Sequence, residues 1–287
     1  MSQRLTPKLV GDIPCYSQDV ANDYTDYPDS GFDLTDETAA TSFWVRSRNR
    51  LFTWLVKQEQ TRLGQARLLD VGCGTGEFFQ HLTDQTSLSL TGSEIYLRGL
   101  HLAKLRQPGV EFIQYDVTQG ALDREFEIVT AFDVFEHIEQ DVQGMRNIHE
   151  NLTKDGVLIL SVPQHKFLWS RLDEIVCHKR RYARAEMVEK LTLSGFTPVR
   201  ITSHVFTLFP LMCLSRLLDK AKPAPAADQS NAQPNAQSNA LSDRVTFSSP
   251  VNWVFNMIMY LDEAMIRLGI SLPFGGTLVV VARKSAP

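Results

Sequence analysis

The chain has 287 residues, room for one large domain or two small ones at roughly 150 residues each, and a core of that size needs neither disulfides nor a metal to hold it. Lys and Arg total 29 and Asp and Glu 33, a formal net charge of −4, so any polyanion-binding patch has to be local and nucleic acid is not an expected partner. With 43% apolar, 9% aromatic and 22% charged residues, the composition excludes a disordered or fibrous chain. The widely separated cysteines Cys15, Cys73, Cys177 and Cys213 have no C-x-x-C spacing, which points to a reduced cytoplasmic setting. The opening MSQRLTPKLVGDIP lacks the apolar run of a signal peptide, and no 18 consecutive apolar residues predict a spanning helix.

In chain order, residues 1–40 are turn-rich, without a sustained period, and read as an arm lying on the domain that ends in an acidic helix start near Asp33 to Glu37. Phe43, Trp44, Leu51, Phe52, Trp54, Leu55 and Val56 recur at three- and four-residue spacings and predict a helix from Ser42 to Gln60. Apolar runs then predict strands at Arg67 to Val71, Ser87 to Glu94, Val110 to Tyr115, Phe126 to Phe132, Val157 to Val162 and Thr197 to Ser203. Helical patterns at Gly76 to Thr83, Leu97 to Leu105, Asp141 to Leu152 and Arg184 to Ser194 alternate with them. That alternation implies an α/β fold with a parallel sheet covered by helices on both faces. After His204 come two apolar segments, 205–218 and 251–268, around a low-complexity loop at 221–245, and Gly275 to Lys284 predicts a last strand.

The run LLDVGCGTGEFF, Leu68 to Phe79, sets three glycines two apart between a buried strand and a helix. Glycine is needed where backbone passes beneath a ligand, and a helix N-terminus offers free N–H groups. A dinucleotide fingerprint requires a further glycine at position 77, which is Glu, so the nicotinamide spacing is absent.

Asp70-x-Gly72-Cys73-Gly74-Thr75-Gly76 resembles motif I of the class I S-adenosylmethionine-dependent methyltransferases. The resemblance implies a Rossmann-like, seven-stranded, mostly parallel sheet, S-adenosylmethionine as cofactor, and a site formed by Asp70, Gly72, Cys73, Gly74, Gly76, Glu94, Ile95, Asp116, Val117 and Asp133. In it Glu94 would accept the ribose hydroxyls and Asp116 meet the adenine amino group, and the Cys73 N–H would lie near the ligand. Asp116 also reads as an Asx-turn residue. Asp133-Val134-Phe135-Glu136-His137-Ile138 resembles the post-strand motif of quinone-biosynthesis O-methyltransferases. Ser161-Val162-Pro163, Leu168-Trp169-Ser170, Asp173 and His178-Lys179-Arg180-Arg181-Tyr182 are similar to a bacterial subgroup associated with glycan or lipid-linked sugar pathways. Phe43-Trp44 with Arg48 resembles its N-terminal helix, although Val45 stands where a further aromatic is usual.

HKRRY puts cations and a phenol at the ligand-binding edge of such a sheet, so Trp44, Arg48, Arg180, Arg181 and Tyr182 are the candidate substrate-binding residues for an anionic acceptor. The competing reading pairs Arg180 or Arg181 with Asp173 or Glu174. A hydroxyl acceptor needs a base, for which His137 and then His178 are the candidates; packing beneath the cofactor and a structural bond to Asp173 are their respective alternatives. Asp133, Glu136 and His137 could hold a divalent ion only if two of them turned to one side, and no metal is expected.

The expected organisation is an arm and cap helix at 1–57, a cofactor-binding domain at 58–204 and 275–287, and a helical insertion at 205–274. The helix Val251 to Leu268 sets Asn252, Asn256, Glu263 and Arg267 on one face, leaving a wide apolar face that caps the domain or touches the inner face of a membrane. The expected function is methylation, on oxygen, of a small-molecule, glycan or lipid-linked acceptor; a non-catalytic cofactor-binding or scaffold protein is the alternative.

Overall fold

The computed structural model describes residues 4–17, 42–221 and 247–285. The acidic helix start expected at Asp33 to Glu37, and the 221–245 loop past its first residue, lie outside the described residues.

Seven strands form the expected sheet: β4 (Arg67–Val71), β5 (Ser89–Glu94), β6 (Glu111–Gln114), β8 (Phe126–Phe132), β9 (Leu152–Pro163), β10 (Phe196–His204) and β11 (Thr277–Lys284). Strands β4, β5, β6, β8 and β9 run parallel, and β11 lies antiparallel between β9 and β10. The strand count is the correction. The arm supplies β2 (Lys8–Val10) and β3 (Ile13–Cys15), and β3 joins β6 with Cys15 opposite Gln114, extending the described sheet to nine strands in the order β10-β11-β9-β8-β4-β5-β6-β3-β2. A separate parallel pair joins β1 (Arg4–Leu5) to β7 (Ala121–Leu122). Pieces of two and three residues are too short to display a period, so the arm's pairing leaves no pattern in the sequence.

Side chains alternate across the sheet. Leu69, Val129, Leu158, Leu160 and Val280 face one core with Met145 and Ile148 of α4 (Asp141–Asn151) and Met187 and Leu191 of α6 (Arg184–Leu193). Leu68, Ile128, Ile159 and Val281 face the other, with Leu51, Phe52 and Leu55 of α1 (Phe43–Leu63), Phe78 and Phe79 of α2 (Glu77–Thr83) and Leu100 of α3 (Leu97–Arg106). Strands buried on both faces explain the near-continuous apolar runs. Truncating Leu160, which is fully buried, to Ala would cost about 2–5 kcal/mol.

The insertion contributes α7 (Phe209–Ala221) and α8 (Ser249–Arg267). Helix α8 turns polar side chains inward: Asn256, Asp262 and Glu263 are buried with Met259 and Ile266, while Val251, Trp253, Val254, Met257, Tyr260 and Leu261 are exposed. The reason is a polar seam against α1 and the β10–α7 link. Arg50 reaches both Glu263 oxygens and Asn256 Oδ1, Ser47 donates to Glu263 at 2.7 Å and lies 3.0 Å from His204 Nε2, and Asp262 accepts from the Phe206 and Thr207 backbone N–H groups.

Candidate active site

The parallel strands deliver their C-terminal ends to one edge, where the glycine loop bridges β4 and α2. Gly72 and Gly74 have φ of 72° and 53°, in the left-handed region. A Cβ on Gly72 would lie 2.5 Å from Val134 Cγ2, so this glycine lets the end of β8 close against the loop. A Cβ on Gly74 would meet nothing within 4 Å, so the loop is open there. The Gly72 and Cys73 N–H groups both donate to the Ser93 carbonyl, at 2.8 and 2.9 Å. The Cys73 N–H is therefore taken up inside the fold, and Cys73 itself is buried.

Glu94 is buried at the end of β5 and accepts from Gly74 N at 3.1 Å and Ile95 N at 2.7 Å, locking its carboxyl beside the loop. Burial pushes its pKa up. Asp70 is buried as well and accepts from Thr130 Oγ1 at 2.6 Å; burial lifts its pKa to about 7 against the pull of that bond and of Arg48. Asp116, at the end of β6, accepts from Thr118 N and Oγ1 and Gln119 Nε2, the Asx-turn arrangement. Val117 is buried, its carbonyl holding Asn147 of α4 at 2.7 Å.

At the end of β8, Asp133 has φ 57° and accepts from Ser161 Oγ at 3.0 Å and Arg48 Nη1 at 2.8 Å. The Arg48 guanidinium lies 4.7 Å from the Trp44 ring centroid and 5.9 Å from that of Phe52, which stacks on Phe132 at 3.8 Å. Arg48 of α1 thus meets the end of β8, while Trp44 packs against Arg48 and the cluster of Val205, Leu208 and Met259. A 3-10 turn, Phe135–His137, follows.

The segment after β9 folds back over this turn. A capping box between Ser170 and Asp173 starts α5 (Arg171–Ile175), and Asp173 also accepts from Arg181 at 2.7 and 3.1 Å and meets His178 Nδ1 at 3.0 Å. Burial pushes the Asp173 pKa up, but the bonds from His178 and Arg181 outweigh it and hold the carboxyl well below the usual range. The His178 ring lies 4.8 Å from the His137 ring, and its Nε2 is 3.8 Å from Glu136 Oε1. Burial, then the neighbouring His178, lower the His137 pKa to about 4. Glu136 is fully buried with no hydrogen-bond partner on either carboxyl oxygen, and burial pushes its pKa well up.

Two candidate substrate residues, Tyr182 and Arg181, are corrected, Arg181 taking the competing pairing with Asp173. Tyr182 is fully buried, its hydroxyl 2.8 Å from Asp141 and 2.9 Å from the Phe135 carbonyl, and Arg181 is committed to Asp173. Arg180 pairs with Asp141 and Glu139, each at 3.3 Å. Asp173, close in the chain, and Asp141 and Glu139, about 40 residues earlier, draw the two arginines of this run into ion pairs. The sequence offered Glu136 as a divalent-ion ligand together with Asp133 and His137, and Asp173 as a partner of His178 and of Arg180 or Arg181; the structure sets His178, in place of Asp133, beside Glu136 and His137.

Among relatives, the chain is 35% identical over 109 residues to a Geobacillus sp. (strain WCH70) protein named as a methyltransferase, covering 35% of this chain and 44% of that one. It is 25% identical over 149 residues to the ubiquinone biosynthesis O-methyltransferase of Histophilus somni (strain 2336), 46% of this chain and 62% of the relative. The chain thus spans about half the length of the curated relatives it matches. The fold is similar to that of the cyclase SpnF (TM-score 0.58, 17% identity, 99% and 100% of the two chains). It is also similar to that of the Haemonchus contortus phosphoethanolamine N-methyltransferase 2 bound to S-adenosylmethionine (TM-score 0.56, 16% identity, 93% and 60%). The methyltransferase-domain family matches residues 38–206, more than half of the chain, and with the glycine loop and strand-end carboxylates in place this protein belongs to that family, whose cofactor is S-adenosylmethionine.

Proposed function

We propose that this protein transfers the methyl group of S-adenosylmethionine to a hydroxyl oxygen of a small-molecule, glycan or lipid-linked acceptor. The observation that carries the reading is the His178–Asp173 contact, set beside His137 in the turn that starts where Val134 meets Gly72. The open backbone at Gly74 and the buried carboxyl of Glu94 beside it fit a nucleoside, with Glu94 accepting the ribose hydroxyls. Asp70, at the head of the loop, fits the charged methionine end.

The cofactor supplies an electrophilic methyl carbon on a sulfonium. Asp173 fixes the His178 Nδ1 proton, leaving Nε2 as the acceptor for the hydroxyl proton while the oxygen–methyl bond forms and the carbon–sulfur pair returns to sulfur. Such a base contributes about 10²–10⁴-fold, and the rest falls to positioning and exclusion of water.

The outward side chains of α7 and α8 support a lipid-linked acceptor. Leu211, Leu214, Leu217 and Leu218 of α7 are exposed along with Trp253, Met257 and Leu261 of α8, an apolar surface that favours a cover, and Trp253 and Tyr260 suit a bilayer interface. Among the described residues no helix is long and apolar enough to cross a membrane, so this contact lies along the surface.

The test is incubation with methyl-labelled S-adenosylmethionine and separate pools of phenols, sugars and bacterial lipid extract. Acceptor-dependent S-adenosylhomocysteine formation is expected. Cofactor binding with no product in any pool would overturn the reading in favour of a non-catalytic binder.

A further inference from the structure

We propose that Glu136, His137 and His178 form a binding site for one divalent transition-metal ion of the Zn²⁺ class. Their ligand atoms, one carboxylate oxygen and two imidazole nitrogens, all lie within 4.8 Å of one another. Two histidines and one carboxylate with open positions are a recurrent donor set for such ions. The expectation of no metal rested on Asp133 as the third ligand. Asp133 is instead held by Ser161 and Arg48, and His178, remote in sequence, stands in for it.

Glu136 carries the argument. Its side chain is completely buried, neither carboxyl oxygen has a hydrogen-bond partner, and Oε1 points at His178 Nε2 from 3.8 Å. A buried carboxylate without partners is costly to maintain, and an ion between it and the two rings would satisfy it. The charged groups around it are otherwise committed: Arg48 to Asp133, and Arg181 to Asp173.

The histidines are arranged as metal ligands usually are. The Nδ1–H of His178 donates to Asp173, which selects the tautomer whose Nε2 lone pair faces Glu136; a carboxylate behind a histidine is the common outer support of a metal ligand. Asp173 is anchored in turn by Arg181 and Ser170. His137 supplies the second imidazole, its ring 4.8 Å from that of His178. The Lys179 N–H donates to the Glu136 carbonyl at 2.7 Å, tying the two ligand-bearing segments together. Ligand distances of about 2.1 Å in a tetrahedron need separations of about 3.4 Å, so the three side chains close slightly around the ion.

Only the ion's catalytic part rests on the proposed methyl transfer: with the ion bound, His178 Nε2 would be a ligand in place of the base, and an acceptor hydroxyl in the open position would be acidic enough to give its proton to water.

The test uses protein stripped with a chelator and titrated with Co²⁺ under visible absorption and with Zn²⁺ in calorimetry. One ion per chain with a cobalt ligand-field band is expected, and Glu136→Gln and His178→Asn should each weaken it by about tenfold or more. S-adenosylmethionine affinity measured on the same variants reports their fold. In the unaltered protein, Zn²⁺ should shift the His137 and His178 ring resonances and leave those of His101 in place. Absence of stoichiometric uptake, equal uptake by both variants, or unshifted His137 and His178 resonances would overturn the site. Stripped protein that transfers methyl at the full rate would overturn the ion's catalytic part while leaving transfer itself standing.

Discussion

His178 Nδ1 sits 3.0 Å from Asp173 Oδ1, and the same carboxylate takes both prongs of Arg181, so one buried acid orients the candidate base and neutralises the cation next to it. Asp173→Asn leaves Arg181 buried without its counter-charge. Breaking a buried pair in this way costs about 3–5 kcal/mol at pH 7, which denaturant unfolding would read directly. The pH dependence has a definite sign. The folded pKa of Asp173 lies below its unfolded value near 3.9, so its stabilisation is complete above about pH 4 and is lost as pH falls further. The gap between wild type and variant should therefore narrow below about pH 4; a constant gap would contradict the pairing.

His204 is fully buried, 3.0 Å from Ser47 Oγ, and burial, then Arg50 and Arg48 of α1, lower its pKa to about 3. The unfolded chain binds a proton near pH 6.5 that the folded chain refuses, so stability falls by about 1.4 kcal/mol per pH unit for this group as pH drops from 6.5 toward 3. His137, lowered to about 4, adds a slope of the same sign. His204→Gln should give a shallower loss of denaturant midpoint between pH 7 and 4.5 than wild type.

The glycine loop separates folding from binding. A Cβ on Gly72 would collide with Val134 at 2.5 Å, whereas one on Gly74 meets open space. Gly72→Ala should lower the melting temperature markedly. Gly74→Val should fold, at a backbone cost of about 1–2 kcal/mol, and abolish S-adenosylmethionine binding in calorimetry. Asp70→Ala should abolish binding too. Unchanged affinity in Gly74→Val and Asp70→Ala would remove the cofactor assignment.

For the proposed membrane contact, the side chains to change are set by the inward turn of the polar stripe. Met259 and Ile266 are fully buried, so their polar variants would unfold the insertion rather than test its surface. Trp253→Ser, Met257→Ser and Leu261→Ser together should weaken co-sedimentation with phosphatidylcholine–phosphatidylglycerol vesicles by about 100-fold or more, with the melting temperature kept. Equal sedimentation of wild type and triple variant would refute the contact.

The central sheet was legible because doubly buried strands print as uninterrupted apolar runs, and Arg67–Val71 and Phe126–Phe132 have the predicted ends. The arm strands were not, since Lys8–Val10 and Ile13–Cys15 acquire their structure from pairing rather than from a pattern. In the site, glycine spacing and strand-end acids located the loop, Asp70 and Glu94. The pairing of Arg181 with Asp173, eight residues away, was legible as the competing reading, whereas the roles of Arg180 and Tyr182 depend on Asp141, about 40 residues away, whose proximity is a long-range fact. The inward polar face of α8 escaped for the same reason: Glu263 and Asn256 are satisfied by Arg50, more than 200 residues away.

The most direct test of the account is methyl transfer by His178→Asn, measured in the acceptor pool that supports turnover and alongside S-adenosylmethionine affinity and melting temperature. A fall of about 10²-fold or more in transfer is expected, with cofactor affinity unchanged. Transfer at the wild-type rate by a folded, cofactor-binding His178→Asn protein would contradict it.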